Sequence, residues 1–140
     1  MMLAMEATAL AVFMERDFPE VAADFVVERA DEQGLCLRLK VASRHLRPGG
    51  TVSGPSIFAL ADVAFYLTIL SRIGPVALAV TTNCAVDFLR KPKAGCDLLA
   101  EARLLKLGRR LAVGDVLVFS EGSSDPVARA GLTYSIPPDR

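Results

Sequence analysis

The sequence predicts an α+β fold in which a long antiparallel sheet curls around one buried helix. Three observations predict it. Residues 55–71 are apolar nearly all round, which describes a helix covered on most sides rather than one lying on a surface. Strand-like runs separated by short turns fill most of the rest of the chain. Hydrophobic residues make up 52% of only 140 residues, enough for one core and a surplus to bury against a second subunit. A single domain spanning 1–140 is the expected organisation.

The elements follow in order. Leu3, Ala7, Leu10 and Met14 recur at helical spacing, and Asp17 to Pro19 stops that helix. Residues 24–29 and 35–41 read as two strands around the turn Asp31-Glu32-Gln33-Gly34; Leu35, Leu37, Leu39 and Val41 alternate with Cys36, Arg38 and Lys40. Residues 44–55 form a loop of turn residues. Pro55 suits a first helical position, where its missing N–H costs nothing, and Ser53 or Gly54 then lies at or beside the N-cap. The helix runs to about Ser71, before Gly74-Pro75. Residues 76–89, 98–106, 111–120 and 126–136 are expected to form four consecutive strands of a meander.

Sixteen basic and sixteen acidic residues cancel, so no global charge points to nucleic acid or an anionic membrane. Cys36, Cys84 and Cys96 are far apart, His45 is the sole histidine, and a Cys/His metal site would be short of ligands; none is expected. Sparse, odd cysteines suit a reducing, cytoplasmic compartment, and buried, inert thiols are expected. Met1–Met14 lacks a positive leader and carries Glu6, unlike a signal peptide. The apolar run 57–70 contains Asp62 and is too short to cross a bilayer, so no membrane partner is expected.

Asp62 is the one charged side chain between Gly54 and Ser71. A lone buried carboxylate costs several kcal/mol unless it is paired or hydrogen-bonded. It is either a structural carboxylate or a nucleophile or general base facing a cleft. Gly54 is a turn residue or, at the helix N-terminus, a place where a carbonyl can approach free N–H groups and a partial positive charge as it becomes an oxyanion. Eight residues of helix separate the two by roughly 12 Å. One carbonyl cannot easily reach both in one chain. If both act on it, a two-fold partner with an antiparallel helix supplies one of them, and a homodimer follows.

His45-Leu46-Arg47-Pro48-Gly49-Gly50-Thr51-Val52-Ser53-Gly54, then Ala59-Leu60-Ala61-Asp62, then Val86-Asp87-Phe88-Leu89-Arg90 resemble the PaaI-type acyl-CoA thioesterases of the hotdog superfamily. The resemblance runs from about residue 35 to Ile136. It implies the hotdog fold, a dimer that pairs into a dimer of dimers, an acyl-CoA substrate and no cofactor. It also implies that Asp62 is the catalytic carboxylate, that the Gly54 N–H polarises the thioester carbonyl and that Thr81 orients water; Thr81 also reads as an ordinary strand residue. The family's His-Gly-Gly is here Ser53-Gly54-Pro55, so Ser53 brings one hydroxyl donor where an imidazole is usual. Arg47 stands where Asn is frequent and either contacts substrate or is a solvated loop residue.

Residues 90–110 hold Arg90, Lys91, Lys93, Arg103, Lys106, Arg109 and Arg110 against Asp97 and Glu101, an excess of five. The strand-end and turn bases Arg90, Lys91, Lys93, Arg109 and Arg110 suit the phosphates of coenzyme A or merely punctuate turns. No aromatics interleave with them as a nucleic-acid site would need. Thioester hydrolysis is the leading reading. Ser53 and Pro55 motivate an alternative, a hotdog dimer that holds acyl-CoA or an apolar acid without turning it over. A dehydratase would need a catalytic histidine; His45 is the candidate, and a structural role is the competing reading.

Overall fold

The computed structural model describes residues 3–138. Met1 and Met2, which begin the apolar N-terminal stretch, and Asp139 and Arg140 lie outside the described residues. Helix α1 (Ala7–Asp17) and the short α2 (Pro19–Ala22) precede strands β1 (Phe25–Asp31) and β2 (Gly34–Leu39). A single 3-10 turn (Ser43–His45) leads to the long helix α3 (Gly54–Ile73). Strands β3 (Val80–Phe88), β4 (Leu98–Leu107), β5 (Leu111–Ser120) and β6 (Pro126–Ser135) follow.

The six strands form one antiparallel sheet in the order β1-β2-β4-β5-β6-β3. Its curved inner face wraps α3, which is the hotdog arrangement. The expected four-strand meander is corrected here. Of the four strands after α3, β4, β5 and β6 are consecutive neighbours; β3 crosses to the far edge to pair with β6, and β2 takes its place beside β4. The physical reason is the helix. Two strands precede α3 and four follow it, and a sheet that encloses the helix must bring strands from both halves together beneath it.

Period-two alternation sets which side chains meet the helix. Leu35, Leu37 and Leu39 of β2, Leu98 and Ala100 of β4, Val116 and Val118 of β5, and Ala130 and Leu132 of β6 are buried. They pack with Leu60, Ala64, Leu67, Ile69 and Leu70 of α3. Each large aliphatic side chain so buried contributes about 2 kcal/mol. Gly114 lets the layers approach: a Cβ there would lie 2.2 Å from the Arg103 carbonyl oxygen and 2.3 Å from the Phe65 ring. By length and composition α3 could cross a membrane, yet 67% of its most apolar window is buried inside this chain, as the core helix of a sheet would be.

The two sheet edges differ. Leu10, Phe13 and Met14 of α1 are buried, and α1 packs against β1. At the other edge, β3 pairs with β6 alone among the described strands, and Val80 and Phe88 stay more than half exposed. Of the cysteines, Cys36 is buried, and its thiol is pushed up to about 12 by burial and by the neighbouring Glu101. Cys84 and Cys96 are half-buried rather than buried as expected.

Candidate active site

Asp62 lies in the middle of α3, where helical geometry has already satisfied the backbone and only its side chain needs partners. Its Oδ1 accepts two short hydrogen bonds, from the Thr81 hydroxyl at 2.7 Å and from the Tyr134 hydroxyl at 2.7 Å. The Tyr134 hydroxyl also lies 3.2 Å from the Asp62 carbonyl oxygen. Oδ2 has no protein partner among the described residues. The carboxylate is therefore held by one oxygen and open at the other.

The sheet explains why these three meet. Thr81 and Tyr134 are register partners on β3 and β6, so both face α3. A register shift between Thr81 and Asn83 places a bulge at this point, and bulges re-aim side chains beside functional sites. Around Asp62 a cleft of about 510 Å³ is lined by Phe18, Val63, Tyr66, Leu78, Val80 and other residues. Phe18 meets the Tyr66 ring edge-on at 6.4 Å, and Tyr66 lies 6.2 Å from the Tyr134 ring. Burial, and then the charge of Asp62, push the Tyr134 phenol well above its ordinary range, so it remains a donor.

The start of α3 makes a second cleft, of about 390 Å³, lined by Arg47, Thr51, Gly54, Ile57 and Phe88 through Pro92. Ser53 is the N-cap and Gly54 the first helical residue, one position earlier than expected. The Ser53 hydroxyl accepts from the Ser56 N–H at 3.3 Å, and its carbonyl accepts from the Ile57 N–H at 3.1 Å. Pro55 has no N–H. Of the four N–H positions that open a helix, only that of Gly54 is left without a partner among the described residues. A Cβ at Gly54 would meet the Phe88 ring at 3.4 Å, so the residue is a close-approach position rather than a conformational one.

The structure brings Asp62 and Thr81 together and brings Gly54 together with Arg47, Arg90 and Lys91. It keeps the two groups in separate clefts. Ser53 spends its hydroxyl on Ser56, as acceptor from the N–H and donor to Oγ at 3.1 Å. Lys93 is exposed, and its N–H donates to the Ser120 hydroxyl at 3.0 Å. Arg109 and Arg110 occupy the β4–β5 turn, at the end of the sheet where Val80 and Leu111 flank Ser135. Arg90 follows Phe88 at the opposite end. The basic cluster of the sequence is thus two clusters in one chain. Arg103 pairs with Asp115 on the outer face.

His45 lines neither cleft. Its Nδ1 accepts from the Ala42 N–H at 2.9 Å, which leaves Nε2 to donate to Asp24 at 3.2 Å. Burial alone would raise the Asp24 carboxyl, but the bonds from Arg44 and His45 hold it below the usual range. This histidine ties the loop to β1 and has no nitrogen to spare for a substrate. Tyr134 is the site residue that sequence reasoning missed. Its signal was the inward alternation Ala128, Ala130, Leu132, Tyr134, in which one polar atom interrupts an apolar face.

The sequence profile of the thioesterase superfamily matches residues 49–127, more than half of the chain and all of α3. The chain belongs to the thioesterase superfamily. Its general chemistry is accordingly thioester hydrolysis. A crystallographically solved thioesterase candidate from Silicibacter sp. TM1040 is 55% identical, with a TM-score of 0.92 over 99% of this chain and 96% of that one. A variant of the phenylacetic acid degradation protein PaaI from Thermus thermophilus is 32% identical, with a TM-score of 0.73 over 85% of this chain and 99% of that one. The acyl-coenzyme A thioesterase PaaI of Escherichia coli is 27% identical over 76% of this chain and 74% of its own. These relatives place this thioesterase-superfamily chain among PaaI-type hotdog proteins.

Proposed function

We propose that this protein hydrolyses acyl-CoA thioesters at a site shared between two subunits. The observation that carries the reading is the state of Asp62: a carboxylate on the core helix, open at Oδ2, held at Oδ1 and facing a cleft with aromatic and aliphatic walls. Oδ2 either attacks the thioester carbon or takes a proton from the water that does. In both routes the carbonyl oxygen becomes an oxyanion, the C–S bond breaks and the released thiol carries a proton from water. As a base Asp62 leaves the oxygen of water in the acid, whereas as a nucleophile it forms an acyl–Asp62 anhydride that water cleaves at the Asp62 carbon, so the first acid carries Oδ2 and Asp62 takes up the oxygen of water. An N–H aimed at the developing oxyanion is worth a large rate factor, and Gly54 has the one available at the start of α3.

Dimerisation through β3 supports bringing them together. The strand is nine residues long and its outer edge has no partner among the described strands, and an unpaired edge of that length is a template for another strand. Gly54 lies beside Phe88 and Asp62 bonds Thr81, so the two clefts mark opposite ends of β3. Antiparallel self-pairing about Cys84–Ala85 turns the Thr81 end of one protomer toward the Phe88 end of its partner. Asp62 would then face the partner's Gly54. Arg47, Arg90 and Lys91 beside Gly54 would meet the phosphates of coenzyme A, with Arg109 and Arg110 approaching from the Asp62 side.

The test is thiol release from short, long and aromatic acyl-CoAs by the wild type and by Asp62→Asn. Loss of turnover by roughly 10²-fold or more in the variant, with folding intact, is expected from a general base or nucleophile; full activity sinks the mechanism. No turnover by the wild type on any acyl-CoA, with tight binding of one, would instead favour the non-catalytic binder. Ser53-Gly54-Pro55, which leaves a single N–H donor, is the feature behind that second reading. Single turnover in ¹⁸O-water separates the two routes, since only the nucleophilic one carries label into Asp62.

A further inference from the structure

We infer that Tyr134 is a positioning residue for the hydrolytic carboxylate: with Thr81 it fixes Oδ1 of Asp62 and so dedicates Oδ2 to the reacting atoms. This rests on the reading of Asp62 given above and adds to it a residue on β6, a strand that otherwise brings only apolar side chains to the inner face.

Two hydroxyls converge on one carboxylate oxygen, each at 2.7 Å. A carboxylate held by a single donor can still rotate about its Cβ–Cγ bond. Two donors arriving from adjacent strands fix the plane of the group as well as its direction. The donors are themselves fixed. Thr81 and Tyr134 are register partners, and Tyr134 is 3% exposed. The Phe65 ring meets it edge-on at 5.6 Å, and Tyr66 lies 6.2 Å away on the α3 side. Phe65 in turn rests on Gly114. The chain of contacts from the sheet to Oδ1 therefore contains no loop residue, and small errors in placement are costly to rate.

A buried phenol needs some hydrogen-bond partner, and the Asp62 carbonyl at 3.2 Å would have met that need. The shorter bond goes instead to the side chain. Tyr66 provides the contrast. It lines the same cleft, but its hydroxyl donates to the Ala77 carbonyl at 2.9 Å and plays no part in holding Asp62.

The experiment measures acyl-CoA hydrolysis by the intact protein carrying Tyr134→Phe, Thr81→Val, both of these together, Thr81→Ser or Asp62→Asn. In Tyr134→Phe kcat should fall about tenfold or more while KM stays within about twofold, with the melting temperature close to that of the wild type. Thr81→Val should behave like Tyr134→Phe, Thr81→Ser should recover, and the double variant should lose less than the product of the two single losses, because both hydroxyls hold one atom. A wild-type kcat in Tyr134→Phe, or a loss confined to KM, overturns the inference. Active Asp62→Asn overturns the underlying reading instead. A spectroscopic arm does not depend on the Phe variant folding. The chain has two tyrosines, so fluorotyrosine labelling gives two ¹⁹F resonances. Asp62→Asn should move that of Tyr134 and leave that of Tyr66; an unmoved Tyr134 resonance overturns the inference.

Discussion

The cleft around Asp62 and the cleft around Gly54 are built from the same helix and the same edge strand, yet they differ in kind. The first has two carboxylates, Asp62 and Asp17, the hydroxyls of Thr81 and Tyr134 on Asp62, and walls of Phe18, Tyr66 and Leu78. The second has a helix N-terminus with one unclaimed N–H and the cations Arg47, Arg90 and Lys91. One suits a base beside an acyl group; the other suits a carbonyl oxygen and a phosphate. A helix cannot present its N-terminus and its middle to one atom, because roughly 12 Å of axis lies between them. Complementary halves at opposite ends of an edge strand are what a two-fold axis can combine.

The largest effect should come from separating the halves. Asp62→Asn and Gly54→Leu, which fills the space beside Phe88, should each lose roughly 10²-fold or more in kcat/KM. Co-refolded together, they should recover up to about a quarter of the activity, since half of the dimers are hybrids with one intact site of two. No recovery would break the shared-site reading. Next, Gly114→Ala should displace the Phe65 ring from beneath Tyr134 and destabilise the protein by about 3 kcal/mol. The same change at Gly131, where a Cβ meets nothing within 4 Å, should stay within about 0.5 kcal/mol. Equal melting temperatures would show that the Asp62 cleft does not depend on that seat.

Smaller effects sharpen the contrast. Arg90→Ala with Lys91→Ala should raise KM for acyl-CoA several-fold, about threefold to tenfold, with kcat nearly unchanged, and added salt should shrink the difference. An effect on kcat alone would remove these cations from the substrate-binding side. The smallest concerns Cys84, whose thiol is raised by burial and then by the charge of Asp62. A raised pKa means less thiolate at a given pH. Removing the charge in Asp62→Asn should therefore speed alkylation of Cys84 at pH 8. Cys36, raised to about 12 chiefly by burial, should stay unreactive in both proteins. An unchanged Cys84 rate would place it out of reach of the carboxylate.

Much of this was legible along the chain because local patterns carry it. The all-round apolar run, the stop at Asp17–Pro19, the Asp31–Gly34 turn and the last three strands were read within a few residues of their observed bounds. Asp62 stood out because a charge in that run has no cheap explanation. Tyr134 did not stand out, since a tyrosine in a strand is ordinary until the register sets its hydroxyl opposite Thr81 and under α3. The seven bases of residues 90–110 looked like one group only because sequence distance ignores the 26 Å or so that a nine-residue strand spans.

The sequence by itself determined the elements and the oddity: one core helix, strands enough to wrap it, a carboxylate inside, and a glycine at the helix start beside Pro55, which has no N–H to offer. Propensity, alternation and capping act over a few residues, so a few residues reveal them. The tertiary structure alone decided that β3 crosses to the far edge, that Thr81 and Tyr134 converge on one oxygen, and that His45 serves Asp24. Those outcomes depend on contacts between strands far apart in the chain, whose register is set by the shape of the whole sheet around its helix.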